Sequence, residues 1–403
     1  MRALILHWQP LGNPRRLAVG GHLAAILAAV GAESAAVFNA VGGAPAALAR
    51  LNVDCVLLHT TFLGTRWIEP FQYWRARSAW IGRLGVPVLA FPQDDYDHAT
   101  VLDEWLAELG TTDVFSALAS QVDEIYPSRA GGARFHQVLT GYLDERTVAL
   151  GSSGPRLSAR QTDVVYRAAT LPFWFGRHGQ LKQQVGRVAL AEAAGRRLRN
   201  DISSAPEDVI AGERWLEFLA ESRSTVGCES GSSALDPRGE IRAAIREVLA
   251  REPDAPFESI AKGLPMGWDD HRFFTISPRH LEAAAVRTAQ ILVEGEYGGI
   301  LKGNQHYVAV HADLSDLGDA LELTRDPVLL QEIADRTYEE VARAPEVSNG
   351  FFAEQIRTVL RGRDCAPGEA LEKGFVWRAM RHSAGLAGSI GAWSRPGALI
   401  RRG

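Results

Sequence analysis

Short, nearly uninterrupted apolar runs alternate with helical segments along this chain. They do so twice, on either side of Gly151-Ser152-Ser153-Gly154-Pro155. Before that stretch, residues 2–7, 34–40, 53–59 and 86–91 read as strands, and 113–117 and 124–126 as two shorter ones. Helical segments fall between them at about 17–30, 44–51, 70–84 and 103–109. After it, 162–168, 224–227, 291–293 and 306–310 read as strands, with helices at 182–198, 212–222, 238–254, from 278, at 326–343 and at 350–360. A strand without polar alternation has both faces buried, which calls for a parallel sheet covered by helices on each side. The expected fold is therefore α/β in two domains, residues 1–150 and 161–360, joined by a small flexible linker at 151–160. Residues 361–403 are expected to add a C-terminal helix and basic tail that cross back to the first domain.

At 403 residues two domains are the ordinary outcome. A formal net charge of −5 gives no basic field for nucleic acid. No apolar run reaches membrane-spanning length, and the opening MRALILHWQP reads as a first strand instead of a signal peptide. The three cysteines, Cys55, Cys228 and Cys365, are odd in number and far apart, which fits a reducing, cytoplasmic setting. His178, His271, His280 and His306 lack the spacing of a helical metal pair, so no metal site is expected. The first turn has Gly12 alone, without G-x-G-x-x-G, and a dinucleotide site loses its main support.

Polar clusters follow the strands. His59-Thr60-Thr61 follows the third and Pro92-Gln93-Asp94-Asp95-Tyr96 the fourth, so His59, Asp94 and Asp95 fall on one rim as candidates for a general base. In the second half, Gly176-Arg177 precedes Lys182 at the start of a basic helix. The pairing of a planar fork with a point charge suits a diphosphate. Glu229-Ser230-Gly231-Ser232 after a strand offers hydroxyl and amide donors for an anion or a ribose. In 275–311, Ser277-Pro278 starts a helix carrying Arg279, His280 and Glu282, and Lys302 follows a glycine pair. A carboxylate there suits sugar hydroxyls.

Together Gly176-Arg177…Lys182, Glu229-Ser230-Gly231-Ser232, and Arg279 to Ala285 through Glu294-Gly295-Glu296-Tyr297 resemble a bacterial glycosyltransferase group that includes spore-maturation and surface-polysaccharide enzymes. The resemblance spans about residues 160–360. It implies the GT-B fold, two Rossmann-like domains facing across a cleft, and metal-independent transfer of a hexosyl unit from a nucleoside diphosphate sugar to an acceptor hydroxyl. It implies no cofactor, a donor nucleotide in the second domain, ribose contact by Glu282, and diphosphate contact by Arg177 and Lys182. Such enzymes often carry a second glutamate eight positions before the first; Phe274 stands there. A nucleotide-sugar 2-epimerase and a non-catalytic sugar-nucleotide-binding module are the alternatives on the same fold.

Overall fold

The computed structural model describes residues 1–10 and 17–365. Gly12 and the basic tail from residue 366, with Arg378, Arg381, Arg395, Arg401 and Arg402, lie outside them. The first sheet has six strands: β1 Ala3–His7, β2 Ala35–Asn39, β3 Cys55–Leu58, β4 Val88–Ala90, β5 Asp113–Ser116 and β6 Arg134–Gln137. All pair in parallel, in the order β2-β1-β3-β4-β5-β6. The second has β7 Thr162–Arg167, β8 Asn200–Ser203 and β9 Ser222–Gly227, then β12 Ala289–Val293 and β13 Val308–Val310, in the order β13-β12-β9-β7-β8. Between β9 and β12 an excursion carries a short antiparallel pair, β10 Ser230–Ser232 with β11 Phe273–Thr275. Both large sheets are thus doubly wound, with the strand order reversing beside β1 and beside β7. The two parallel α/β sheets expected from the sequence are the ones observed.

β1 shows why these runs are parallel strands. Leu4 and Leu6 enter one core with Val56, Leu58, Val88 and Trp105, while Ala3 and Ile5 enter another with Ile26, Leu57 and Leu89. The second core is closed by the last described helix, Asn349–Arg361, through Phe352, Ala353, Ile356 and Leu360. The helix therefore belongs to the first sheet in space and to the end of the chain in sequence. Phe273 of β11 likewise joins the first sheet's other core.

Several readings change. Residues 124–126 lie at the end of the helix Val122–Ile125 and not in a strand. The sixth strand is β6, whose sequence RFHQ is half exposed because it is an edge; β8, NDIS, was missed for the same reason. Gly151 belongs to the helix Glu145–Ser153, where a Cβ would lie 2.1 Å from the Ala285 carbonyl, so it is a packing glycine. Segment 70–84 is the α-helix Phe71–Ser78 followed by a short 3-10 helix, Ile81–Arg83; Phe71, Trp74 and Trp80 are buried, as an aromatic core segment requires.

Asp113 ties the last helix down. Its fully buried carboxylate meets Arg363 at 2.9 Å, Arg134 at 3.2 Å and His136 at 2.9 Å. Burial alone would raise its pKa, but hydrogen bonds from His136, Arg363 and Thr112 outweigh that and hold it at about 2, against 3.8 for a free aspartate. The folded state thus prefers the charged form. This stability is complete above the unfolded pKa and is lost as pH falls from about 4 through about 2, amounting to about 2 kcal/mol. Asp113→Asn should lower the melting temperature at pH 7 and flatten its fall between these pH values; unchanged acid sensitivity would sink the assignment.

Candidate functional site

In a doubly wound sheet, ligands gather beyond the carboxyl ends of the strands, where the order reverses. Here the two sets of ends meet. The loop after β4 docks on the loop after β10: Asp236 N donates to Tyr96 O (2.9 Å), Ala99 N to Asp236 O (3.2 Å) and Thr100 N to Pro237 O (2.9 Å). Arg242 pairs with Asp97 at 3.3 Å across the same seam, and Arg238 with Glu104. Within the seam stand Asp94 from the first half and Lys182 from the second.

Lys182 lies in the second turn of the helix Gly176–Gly195, half-buried, with Nζ donating to Ser230 Oγ at 3.2 Å. Burial lowers its pKa from the ordinary lysine range, opposed by the nearby Cys228 and Asp94. Asp94 answers it electrostatically. Its backbone sits in the left-handed region, φ 52°, a conformation a non-glycine residue keeps only when its surroundings impose it. The imposing group is Arg66, which is 1% exposed and donates to four carbonyls, those of Leu63, Gln93, Asp94 and Asp97. Burial raises the Asp94 pKa, and the Tyr96 hydroxyl (2.8 Å), Arg66 and Lys182 pull it back. A carboxyl with a raised pKa beside a cation is the pairing general base chemistry uses.

The other two base candidates face inward. Asp95 is buried and accepts from Ser116 Oγ and from Tyr126 OH (2.6 Å), which anchors the loop to the first domain. His59 is buried at the start of the helix Thr60–Leu63, where its Nδ1 accepts from Thr61 N (3.2 Å), and its ring packs 5.0 Å from His22. Both are cap and anchor groups.

Arg177 does not join Lys182. Gly176 has φ 70°, and a Cβ there would overlap Asp269 Oδ1 (1.9 Å) and Ser233 Oγ (2.4 Å). Without one, Asp269 reaches Arg177 N (2.9 Å) and the Arg177 guanidinium (3.0 Å), and Ser233 Oγ accepts from His178 N (3.0 Å). The helix start expected to meet a diphosphate is therefore already capped by a carboxylate and a hydroxyl of the excursion. Glu258, 3.5 Å away, draws the other side of the Arg177 fork.

Of the serine-glycine loop, Ser230 alone faces Lys182. Gly231 has φ 107° and a Cβ would sit 1.9 Å from Phe273 O, so glycine is required by the β10–β11 pairing. Ser232 Oγ accepts from Ala234 N (2.9 Å) and lies 3.1 Å from Phe175 O. The buried Glu229 accepts from the amides of Tyr297 (2.7 Å) and Glu296, which shapes the turn after β12. These three build the site's walls.

The helix Pro278–Ala285 begins as the sequence implies, with Ser277 as cap and Pro278 in the first turn, but His280 completes a capping box: its Nδ1 accepts from Ser277 N (3.2 Å). Burial, with Lys182 and Arg279 nearby, holds His280 at about 3, hence neutral. Arg279 lies 4.8 Å over the Trp215 ring and donates to Arg167 O. Trp215 Nε1 in turn donates to Glu282 Oε2 at 2.7 Å. Burial raises the Glu282 pKa, opposed by that bond and by Arg279. Glu282 thus has its Oε2 held by Trp215. Phe274 stacks on His178, centroids 3.8 Å apart, and Arg272 covers it at 5.4 Å, so a flat aromatic wall stands beside Ser230. Lys302 is exposed on a turn near Glu340.

Trp215, Tyr96, Arg66 and Asp269 are not legible as site residues in the sequence, since the partners that give them their roles lie mostly 27 to 177 positions away. No protein-family model and no curated protein sequence matches the chain. Among solved structures it is similar to HepE of Anabaena in complex with UDP-glucose, with 12% identity over 90% of this chain and 100% of that one, TM-score 0.46. It is also similar to an alpha-glucosyltransferase in complex with UDP-glucose and DNA containing an abasic site, with 12% identity over 90% and 99%, TM-score 0.48. A third is an alpha,alpha-trehalose-phosphate synthase (UDP-forming) from Burkholderia vietnamiensis, with 13% identity over 89% and 96%, TM-score 0.44. Identity this low makes the likeness one of chain path; what the chain does is read from its own residues. No helix among the described residues is long and apolar enough to cross a membrane.

Proposed function

We propose that the protein transfers a glycosyl unit, a hexose, from a nucleoside diphosphate sugar to an acceptor hydroxyl, without a metal or cofactor. The observation that carries this reading is the opposition of a half-buried Lys182 and a half-buried Asp94 across the seam between two sheets' carboxyl ends. Lys182 Nζ and Ser230 Oγ bind the diphosphate and take up the charge that grows on it as the glycosidic bond breaks. Asp94 receives the proton of the attacking hydroxyl. Glu282 Oε1 accepts from a ribose hydroxyl while Trp215 fixes its other oxygen. The sheets' closure excludes water, which strengthens each of these interactions.

Thermal shifts with UDP, GDP, dTDP, ADP and CMP test the donor half of this reading. One nucleotide should raise the melting temperature, by the equivalent of about 2.7 kcal/mol at a hundredfold excess over its Kd. Glu282→Ala should remove most of that rise, and a flat response of the native protein to all five would sink the reading. The capping of Arg177 by Asp269 favours one second reading, nucleotide-sugar binding without transfer. That version requires a nucleotide shift with no nucleotide released from UDP-glucose or its counterparts when alcohols are supplied. A 2-epimerase would instead form product with no acceptor.

A further inference from the structure

Tyr96 touches both halves of the molecule. Its hydroxyl donates to Asp94 Oδ1 at 2.8 Å. Its ring stacks on Phe273, centroids 5.8 Å apart at 13°, and meets Phe175 edge-on at 6.1 Å and 77°. Its carbonyl accepts from Asp236 N at 2.9 Å. Phe273, Phe175 and Asp236 all come from the second half, whereas Asp94 is held by Arg66 of the first. Tyr96 is 3% exposed, so its hydroxyl direction is set by packing and not by solvent.

We propose that Tyr96 is a positioning residue: the second half, by gripping its ring, aims the Asp94 carboxylate, so that docking of the two sheets sets the state of the group that receives the acceptor's proton. This rests on the reading of Asp94 as the base. The charged and titratable groups facing Asp94 are Tyr96 and Asp97 of its own loop, Arg66 after β3, and Lys182 of the Gly176–Gly195 helix. Arg66 and Lys182 stay in place when the phenol is removed, which leaves the hydrogen bond as the variable. One oxygen of Asp94, Oδ1, is engaged by the phenol. Loss of the phenol removes a donor that favours the carboxylate, so protonation becomes easier.

The test uses the full chain labelled with carboxyl-13C aspartate, the Asp94 resonance being identified by its loss in Asp94→Asn. Tyr96→Phe keeps the ring and its stacking; the Asp94 titration should move up by about one pH unit. Phe175→Leu keeps the hydroxyl but loosens the grip, and should shift the same titration in the same direction by a smaller step. A Tyr96→Phe curve that superimposes on the native one overturns the proposal. An unmoved curve in Phe175→Leu overturns the dependence on docking. The transfer reading fails separately, if Asp94→Asn still releases UDP from UDP-glucose at the native rate.

Discussion

Lys182→Ala is expected to lower glycosyl transfer by about 10²–10³-fold in kcat, equivalent to about 3–4 kcal/mol. The size follows from where the charge sits. An ammonium in solvent stabilises a departing diphosphate weakly, because water screens it. This one is half-buried at the seam, aimed by Ser230 Oγ, and carries its proton against a burial that favours losing it. An anion forming beside it removes that penalty at the moment the bond breaks. The effect should therefore appear in kcat and kcat/KM together, measured as nucleotide release from the donor that the thermal-shift panel selects. A change confined to KM would mean that Lys182 binds ground state and transition state alike. Native turnover in the variant would remove the group on which the transfer reading stands.

Arg66→Ala is expected to be the most damaging single change to the fold, by about 3–5 kcal/mol. The guanidinium is buried and its donors reach four carbonyls, so truncation strips partners from Leu63, Gln93, Asp94 and Asp97 at once. It also leaves the buried Asp95 and Asp97 without the positive charge they share. The first thermal transition should fall by several degrees, and transfer should fall further than stability explains, because the left-handed turn at Asp94 loses its template. A melting temperature within about a degree of native would show that the loop holds its shape by packing alone.

The sheets were legible because burial on both faces writes itself as an apolar run: the strands read at 2–7, 53–59 and 224–227 are observed as β1 Ala3–His7, β3 Cys55–Leu58 and β9 Ser222–Gly227. The edges β6 and β8 were not, since an edge strand carries Arg134 and His136 or Asn200 and Asp201 without penalty. At the site, Lys182, Ser230 and Asp94 come together at the seam, and Glu282 meets Trp215. Elsewhere a polar side chain serves its neighbours. Asp95 and Glu229 are spent on local donors, His280 on a helix start, and Arg177 on Asp269 from 92 residues away. Nothing in a single sequence distinguishes a carboxylate that faces a ligand from one that faces an amide.

The packing of Asn349–Arg361 against the first sheet governs how the chain can be made. Ala3, Ile5, Leu57 and Leu89 have their apolar surface covered by a segment that leaves the ribosome long after them, and Phe273 closes the opposite side at an intermediate time. The first 150 residues emerge with that face covered in part, by the helix Leu17–Val30, while their own residues fill nearly all of the opposite core. Until the second sheet has been made, the uncovered part of that face is open to aggregation. For the same reason, cutting the gene at the apparent boundary yields two pieces that each lack part of their interior, and expression of the entire chain is the route to material that stays in solution.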